Sequence, residues 1–228
     1  MRGRRAMVFQ DRADAGRQLA ARLSSLSGPE TVVLGIPRGG VVVAAEVARV
    51  LGAQLDVVVA RKLRAPGAPE LAIGAVTADG ICWTNERILR DLEVSERYLE
   101  TERAAQARQA AEREQRLRRG GEHLPLAGRA AIVVDDGLAT GATMRAAVAS
   151  VRERRPSRLV VAVPVGSPEA CAALREQADE LICLHEPFDF AAVGEFYVDF
   201  ASTQDEEVDE LLAAQRRSAA GAPASRQA

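Results

Sequence analysis

Short apolar stretches alternate with amphipathic ones along the whole chain. Runs rich in β-branched residues predict buried strands at residues 31–36, 55–60, 71–78, 130–134, 159–163 and 181–184. Helical spacing of apolar positions predicts helices at residues 11–26, 41–51, 85–119, 142–154, 168–177 and 205–212. A strand followed by a helix, repeated in this way, is typical of an α/β fold with a doubly wound, mostly parallel sheet.

The pattern changes after Pro187, where five of the chain's few aromatic residues fall between residues 188 and 200. We expect one domain over residues 8–213, with a small C-terminal hood or flap at about residues 187–203. The stretch 214–228 is rich in Ala, Ser and Arg and predicts a disordered tail.

The predicted helix at residues 85–119 is long and highly charged, and it forms an insertion between strands. Its first half carries four large aliphatic side chains, whereas its second half carries mainly alanine and charged residues. We therefore expect the first half to dock on the domain. The second half is expected to be solvated or, alternatively, to contact another subunit.

Composition narrows the classes of function. The formal net charge is -2, which gives no support for a general nucleic-acid or membrane partner. Three widely spaced cysteines fit a reducing compartment better than a disulfide framework, and neither histidine has zinc-ligand spacing. No apolar signal segment opens the chain, so we expect a soluble cytoplasmic protein.

The most informative pattern lies at residues 132–143, where an apolar strand ends in Asp135 and Asp136 and a turn of small residues and threonines follows. Ligands of open α/β sheets bind beyond the carboxyl ends of the strands. Adjacent carboxylates there can accept hydrogen bonds from vicinal hydroxyls, and free backbone N–H groups at a helix start can bind phosphate. Together these features favour a ribose 5-phosphate site.

Two further segments supply candidate anion-binding residues. Gly39 and Gly40 allow close backbone approach after the first strand, and Arg38 can bind phosphate oxygens through two hydrogen bonds. Arg61 and Lys62 follow the second strand, in what we expect to be a polar loop at residues 61–69. The alternative for this last pair is ordinary solvated side chains at a strand end.

The stretch at residues 132–143 resembles the binding motif of the type I phosphoribosyltransferases for 5-phosphoribosyl 1-pyrophosphate (PRPP), and the chain is most similar to an uncharacterised predicted group of that family. The resemblance implies that Asp135 and Asp136 bind the ribose hydroxyls and steady Mg²⁺, partly through water. It implies that both act in catalysis together with Lys62. The ribose and 5-phosphate would further contact Gly137, Leu138, Ala139, Thr140, Gly141, Ala142 and Thr143.

The resemblance also implies that Arg38, Gly39, Gly40, Arg61 and Lys62 bind pyrophosphate, the last two from a mobile loop that closes over the site. Ala139 stands where many 6-oxopurine enzymes of the family carry an acidic residue. This difference makes hypoxanthine and guanine poor candidates for the acceptor.

The hood of the family holds the acceptor base, so the resemblance implies that Phe188, Phe196 or Tyr197 stacks on a flat ring. The alternative is that these rings form the hydrophobic underside of the flap. The expected activity is magnesium-dependent transfer of the phosphoribosyl group from PRPP to a nitrogen acceptor, in a homodimer. A regulatory protein that senses PRPP or a nucleotide through the same site is the alternative.

Overall fold

The computed structural model describes residues 8–221, and it contains a five-stranded sheet in which every neighbouring pair is parallel. Its strands lie in the order β2–β1–β6–β7–β8. They are β1 (Thr31–Gly35), β2 (Gln54–Val57), β6 (Ala130–Val134), β7 (Arg158–Val165) and β8 (Glu180–His185). The predicted doubly wound α/β fold is confirmed.

Helices cover both faces of this sheet because alternate strand residues point to opposite sides. Val33 and Ile132 belong to one apolar core, and Val32 and Val133 belong to the other. The first core contains residues of α1 (Arg12–Arg22), α2 (Gly39–Leu51) and α7 (Asp205–Gly221). The second contains residues of α5 (Ala142–Glu153) and α6 (Pro168–Arg175).

A second, antiparallel sheet stands beside the first and differs from our expectation. It is formed by β3 (Ala60–Ala65), β4 (Ala68–Thr77) and β5 (Cys82–Thr84). The predicted loop at residues 61–69 is wrong, since most of it lies in a hairpin with a turn at Gly67. Buried Leu63 and Ala65 alternate with exposed Lys62 and Arg64, which is the pattern of a half-buried strand.

The charged insertion is two helices rather than one. Helix α3 (Glu86–Asp91) ends before Glu93, which has a φ of 48°, and α4 (Glu96–Arg118) begins after the N-cap Ser95. The second half of α4 is docked, contrary to our expectation, because its buried side chains are those of Gln106, Ala110, Glu114, Leu117 and Arg118. Arg118 donates a 3.0 Å hydrogen bond to Asp56 and a 2.7 Å bond to the carbonyl of Val57, which anchors α4 to β2.

The C-terminal helix α7 extends beyond the predicted end at residue 212. It continues to Gly221, so the expectation of disorder from residue 214 is wrong for this stretch, and residues 222–228 lie outside the described part of the chain. Gln215 donates a 2.9 Å hydrogen bond to the carbonyl of Ala53, and alanine-rich sequence favours helix. Between residues 8 and 221, no helix is both long and apolar enough to cross a membrane.

Candidate active site

The candidate site lies where the loops that follow β1 and β6 meet. These strands are neighbours, and Gly35 pairs in register with Val134 at their carboxyl ends. The chain leaves β1 toward β2 on one side, whereas β6 lies on the other side, so the strand order reverses at this point. Such a reversal opens a crevice beyond the strand ends, where open α/β sheets bind ligands.

The acid pair and the glycine loop are packed directly against each other. A Cβ atom added to Gly40 would lie 2.8 Å from Asp135 Oδ1, and one added to Gly39 would lie 1.9 Å from Asp136 Oδ2. Only glycine therefore fits at either position without displacing a carboxylate. The peptide bond between Pro37 and Arg38 at the start of this loop is cis.

Asp135 has the more strongly shifted pKa of the pair. Its Oδ1 accepts a 2.9 Å hydrogen bond from the backbone N–H of Asp136. Burial, and next the adjacent charge of Asp136, raise the pKa of Asp135 well above its ordinary value. A cation or a hydroxyl donor bound at Asp135 would offset the free-energy cost of ionising its carboxyl group.

Asp136 is held by a side chain that sequence reasoning missed. Arg12, in the first turn of α1, donates a 2.7 Å hydrogen bond from Nε to Asp136 Oδ2 and a 2.8 Å bond to the carbonyl of Ala201. The guanidinium of Arg12 also lies 3.9 Å from the ring centroid of Phe200. Nothing in the sequence distinguishes Arg12 from the other arginines, because the contact spans 124 positions.

The turn after the acid pair presents a row of free backbone donors. No N–H group of residues 139–144 donates a hydrogen bond to any group in the described part of the chain. Gly141 caps α5 in the left-handed conformation, with a φ of 74°, and Thr140 is exposed while Thr143 is half-buried. Free N–H groups at a helix N-terminus are the arrangement that binds phosphate.

Lys62 reaches the same crevice from the second sheet. It pairs in register with Ala75, which packs against Ala142 and Ala146 of α5, so Lys62 lies on the face of the hairpin that meets the start of α5. Its positive charge lowers the pKa of Asp135, although less than burial raises it. Within the described residues its ammonium group has no hydrogen-bond or ion-pair partner.

Arg61 and Arg38 lie beside this crevice. Arg61 lines one cavity of about 400 Å³ together with Lys62 and Thr143, and it lines a second cavity of about 410 Å³ together with Arg38. Arg61 and Lys62 therefore lie on strand β3 of the hairpin. The expected loop at this place is wrong, since a hairpin takes its position.

The predicted acceptor rings are arranged differently from our expectation. Phe196 and Tyr197 are 4% and 1% exposed and pack against Phe9 and Val165, so neither ring has a face free for stacking. Phe188 is fully exposed and touches no part of this cluster. For Phe196 and Tyr197 the geometry fits the alternative, in which the rings form the underside of the flap.

Tyr197 nevertheless contacts the site through its hydroxyl group. This group donates a 2.7 Å hydrogen bond to the backbone carbonyl of Asp136, and burial raises the pKa of Tyr197 above its ordinary value. Gly137 lies against Val193 of the same flap, with 2.5 Å between an added Cβ and Val193 Cγ1. The flap thus fixes the position of the backbone at the acid pair.

Comparison with known proteins gives consistent matches over nearly the whole chain. Residues 9–200 match the family described as "Phosphoribosyl transferase domain". A Mycobacterium tuberculosis protein, whose name assigns it provisionally as a phosphoribosyl transferase, is 46% identical over 205 residues, which are 90% of this chain and 46% of that protein. The chain thus spans about half the length of the curated relatives that it matches.

Solved structures agree with these matches. The crystal structure of the protein TT1426 from Thermus thermophilus is 48% identical, with a TM-score of 0.76, and the match covers 90% of this chain and 98% of that one. A hypothetical protein from Neisseria gonorrhoeae, solved with bound ppGpp, is 14% identical, with a TM-score of 0.51. The match covers 91% of this chain and 96% of that one. The second similarity concerns the fold alone.

Proposed function

Because the chain belongs to the phosphoribosyl transferase domain family, we propose that it transfers the phosphoribosyl group of PRPP to a nitrogen acceptor and releases pyrophosphate. One observation carries this proposal. The free N–H groups of residues 139–144 directly follow the half-buried acid pair Asp135 and Asp136. The N–H groups can bind the 5-phosphate, and the two carboxylates can accept hydrogen bonds from the ribose hydroxyls. The site therefore matches the two ends of a ribose 5-phosphate group.

The same geometry supports one placement of the ligand in this proposal. The 5-phosphate lies on the turn at residues 139–143, and the ribose hydroxyls donate to Asp135 and to the oxygen of Asp136 that Arg12 does not engage. The pyrophosphate group lies along Arg38, Gly39 and Gly40, where the glycines permit close approach of the backbone. Lys62 and Arg61 supply positive charge from the hairpin.

The acid pair can supply only a small part of the ligands that a magnesium ion needs. It offers two carboxylates, and Arg12 already engages one oxygen of Asp136. Mg²⁺ prefers oxygen ligands, keeps several waters and is commonly held by one or two carboxylates together with substrate phosphates. Asp135 and Asp136 would thus hold the ion largely through water, and the bound ion would neutralise charge on the departing pyrophosphate.

Catalysis in this proposal consists of positioning and charge stabilisation. The bond between the anomeric carbon and the pyrophosphate oxygen breaks, a bond from that carbon to the acceptor nitrogen forms, and the proton on nitrogen passes to water. Asp135 stabilises the positive charge that develops on the sugar. Lys62 and Arg38 stabilise the negative charge that develops on the leaving group.

A second candidate function uses the same site without turnover. The burial of Phe196 and Tyr197 leaves neither ring free to stack on an acceptor base, which favours a regulatory protein that senses PRPP or a nucleotide. Pyrophosphate release separates the two functions, because an enzyme given its acceptor produces pyrophosphate and a sensor does not.

The experiment is a pyrophosphate-release assay with Mg²⁺, PRPP and a panel of nitrogen acceptors. We expect release with at least one acceptor for the wild type, and a loss of about 10²-fold or more for Lys62→Gln. Arg87→Gln is the matched control, because Arg87 is 87% exposed on α3. Binding of PRPP with no release across the panel would favour the sensor.

We also propose that the protein is a cytoplasmic homodimer. Light scattering would measure the mass of the assembly in solution.

A further inference from the structure

Two cysteines and a glutamate form a thiol–carboxylate cluster where α6 packs against the edge strand β8. Cys171 lies on α6, Cys183 lies on β8, and Glu186 directly follows β8. The two Sγ atoms and a carboxylate oxygen of Glu186 all lie within 4.8 Å of one another. In the part of the chain that the structure describes, no other group of three Cys, His, Asp or Glu side chains brings its ligand atoms this close together.

The backbone beside the cluster leaves room for both sulfur atoms. A Cβ atom added to Gly166, between β7 and α6, would lie 2.6 Å from Cys171 Sγ and 3.5 Å from Cys183 Sγ. Any larger residue at this position would therefore displace a sulfur atom. Cys171 is fully buried, whereas Cys183 is half-buried and the side chain of Glu186 is 27% exposed. The cluster thus reaches solvent on the side of Cys183 and Glu186.

The types of ligand atom indicate which ion fits the cluster. Thiolates select thiophilic ions such as Zn²⁺, whereas Mg²⁺ takes oxygen ligands. In a tetrahedral zinc site, bonds of about 2.3 Å to sulfur and about 2.0–2.2 Å to oxygen place the ligand atoms about 3.5–3.8 Å apart. Atoms that already lie within 4.8 Å of one another reach this geometry through small side-chain movements. Three protein ligands leave the fourth position to water.

The charges of the cluster also suit a divalent cation. Two thiolates and one carboxylate carry three negative charges, and a bound Zn²⁺ would reduce this total to one. Arg175, the last residue of α6, forms an ion pair with Glu186 and supplies the balancing positive charge. A hydrogen-bonded partner of this kind orients a ligating carboxylate and is common around bound metals.

A purely structural role would make both cysteines small apolar residues and Glu186 a partner of Arg175. Cys171 belongs to the apolar core on the α5 and α6 side of the sheet, and Cys183 packs against this core. That role accounts for each contact separately. It does not require one carboxylate oxygen to lie beside both sulfur atoms, whereas a metal site does.

We propose that Cys171, Cys183 and Glu186 form a metal site that binds Zn²⁺. The inference goes beyond the proposed function, because none of these three residues belongs to the candidate active site. The same cysteines had no assigned role in our sequence analysis, since their spacing matches no metal-binding motif. Their ligand atoms come together only through the packing of α6 on β8.

The metal site lies behind the turn that binds the 5-phosphate in the proposed function. Ser167 donates 2.8 Å hydrogen bonds from its N–H to the carbonyl of Leu138 and from its Oγ to the carbonyl of Ala139. The N–H of the neighbouring Gly166 donates a 3.0 Å bond to the carbonyl of His185. An ion that joins α6 to β8 therefore stabilises the loop against which the turn packs. Its role is structural.

Titration of the full chain with Co²⁺, followed by displacement with Zn²⁺, tests the site. The protein is first treated with a chelator and kept reduced. We expect equimolar Co²⁺ to produce sulfur-to-cobalt charge-transfer absorption, which equimolar Zn²⁺ removes. Cys183→Ser should weaken metal binding at least tenfold and lower this absorption, and Glu186→Gln should weaken binding about tenfold. Cys82→Ser is the matched control, because Cys82 is a free cysteine on β5 of the other sheet, and it should bind metal like the wild type.

Thermal melts provide a second readout of the same site. Zn²⁺ should raise the melting temperature of the wild type and of Cys82→Ser but not that of Cys183→Ser, because an ion that binds only the folded state stabilises it. Glu186→Gln changes a partly exposed side chain and keeps the test valid if Cys183→Ser does not fold. No charge-transfer absorption in the reduced wild type, or equal effects of Cys183→Ser and Cys82→Ser, would overturn the inference. PRPP takes part in neither measurement, so the result is independent of the proposed function.

Discussion

Arg12 and Asp136 lie 124 positions apart in the sequence, yet Arg12 Nε lies 2.7 Å from Asp136 Oδ2. The pair connects the first helix to the acid pair, and the bond from Arg12 to Ala201 extends the connection to the segment before α7. Arg12 is therefore a positioning residue, because it fixes Asp136 and leaves the other carboxylate oxygen for a ligand.

Arg12→Ala should lower both stability and affinity for PRPP. The side chains of Arg12 and Asp136 are only 12% and 18% exposed, so the substitution leaves a mostly buried carboxylate without its partner. We expect a loss of about 2 kcal/mol in the free energy of unfolding, or a fall of about 4–8 °C in melting temperature, measured by calorimetry. Arg17→Ala removes a half-exposed arginine of the same helix and should change stability by less than about 0.5 kcal/mol. Equal losses for both variants would contradict the role of Arg12.

Gly39→Ala should weaken PRPP binding strongly, while a control glycine tolerates the same change. The new methyl group would lie 1.9 Å from Asp136 Oδ2 and 2.6 Å from Arg12 Nε, so the carboxylate or the loop must move. We expect PRPP affinity to fall by more than about tenfold, since misplacement of about 1 Å at a site costs that much or more. Gly121→Ala, whose added Cβ meets only a carbonyl at 3.1 Å, should bind normally in the same titration.

Asp135→Asn should stabilise the folded protein at neutral pH and weaken PRPP binding. The raised pKa of Asp135 means that its ionised form is disfavoured in the folded state, and Asn can still accept the hydrogen bond from Asp136 N–H. In the window between the ordinary carboxyl pKa and the raised value, the folded state binds more protons than the unfolded state, so wild-type stability falls as the pH rises.

The melting-temperature difference between Asp135→Asn and wild type should therefore be small near pH 4 and increase toward neutral pH. A series of thermal melts across this range measures it. A variant that is less stable than wild type at pH 7, or a difference that does not change with pH, would contradict this prediction. Either result would show that the folded state does not disfavour the ionised form of Asp135.

Arg118→Met should destabilise the fold without changing the candidate site directly. Arg118 and Asp56 are 6% and 9% exposed, and Asp56 would remain buried without its partner. We expect a loss of about 3–5 kcal/mol, measured by urea denaturation, with PRPP affinity unchanged under conditions where the variant is folded. Arg108→Met, at an exposed position of α4, should leave the denaturation midpoint unchanged. A small effect of Arg118→Met would contradict the docking of α4 through this pair.

Much of the fold could be predicted from the sequence, because β1, β6 and β7 are apolar on both faces and each is followed by a turn and an amphipathic helix. The hairpin could not be predicted as readily. Its residues Lys62 to Ala65 alternate charged and apolar side chains, and the charges and nearby prolines are also typical of a loop. The break between α3 and α4 depends on a left-handed Glu93, which no helix propensity specifies.

The local part of the candidate site was predictable and its long-range part was not. Asp135 to Thr143 are contiguous, so their order alone predicts a strand end, an acid pair and a helix start. Arg12 and Arg113 enter the site through tertiary packing, and neither belongs to a sequence pattern that could indicate it. The aromatic side chains of Phe196 and Tyr197 predict ring stacking, but packing against Phe9 buries both of them.

Calorimetric titration with PRPP, with and without Mg²⁺, decides whether the acid pair belongs to a PRPP site. We expect magnesium-dependent binding to the wild type and binding weakened at least tenfold in Asp135→Asn. Binding that is unaffected by the substitution would move the site away from the acid pair. No binding at millimolar PRPP would contradict the claim that the crevice between β1 and β6 is a phosphoribosyl site.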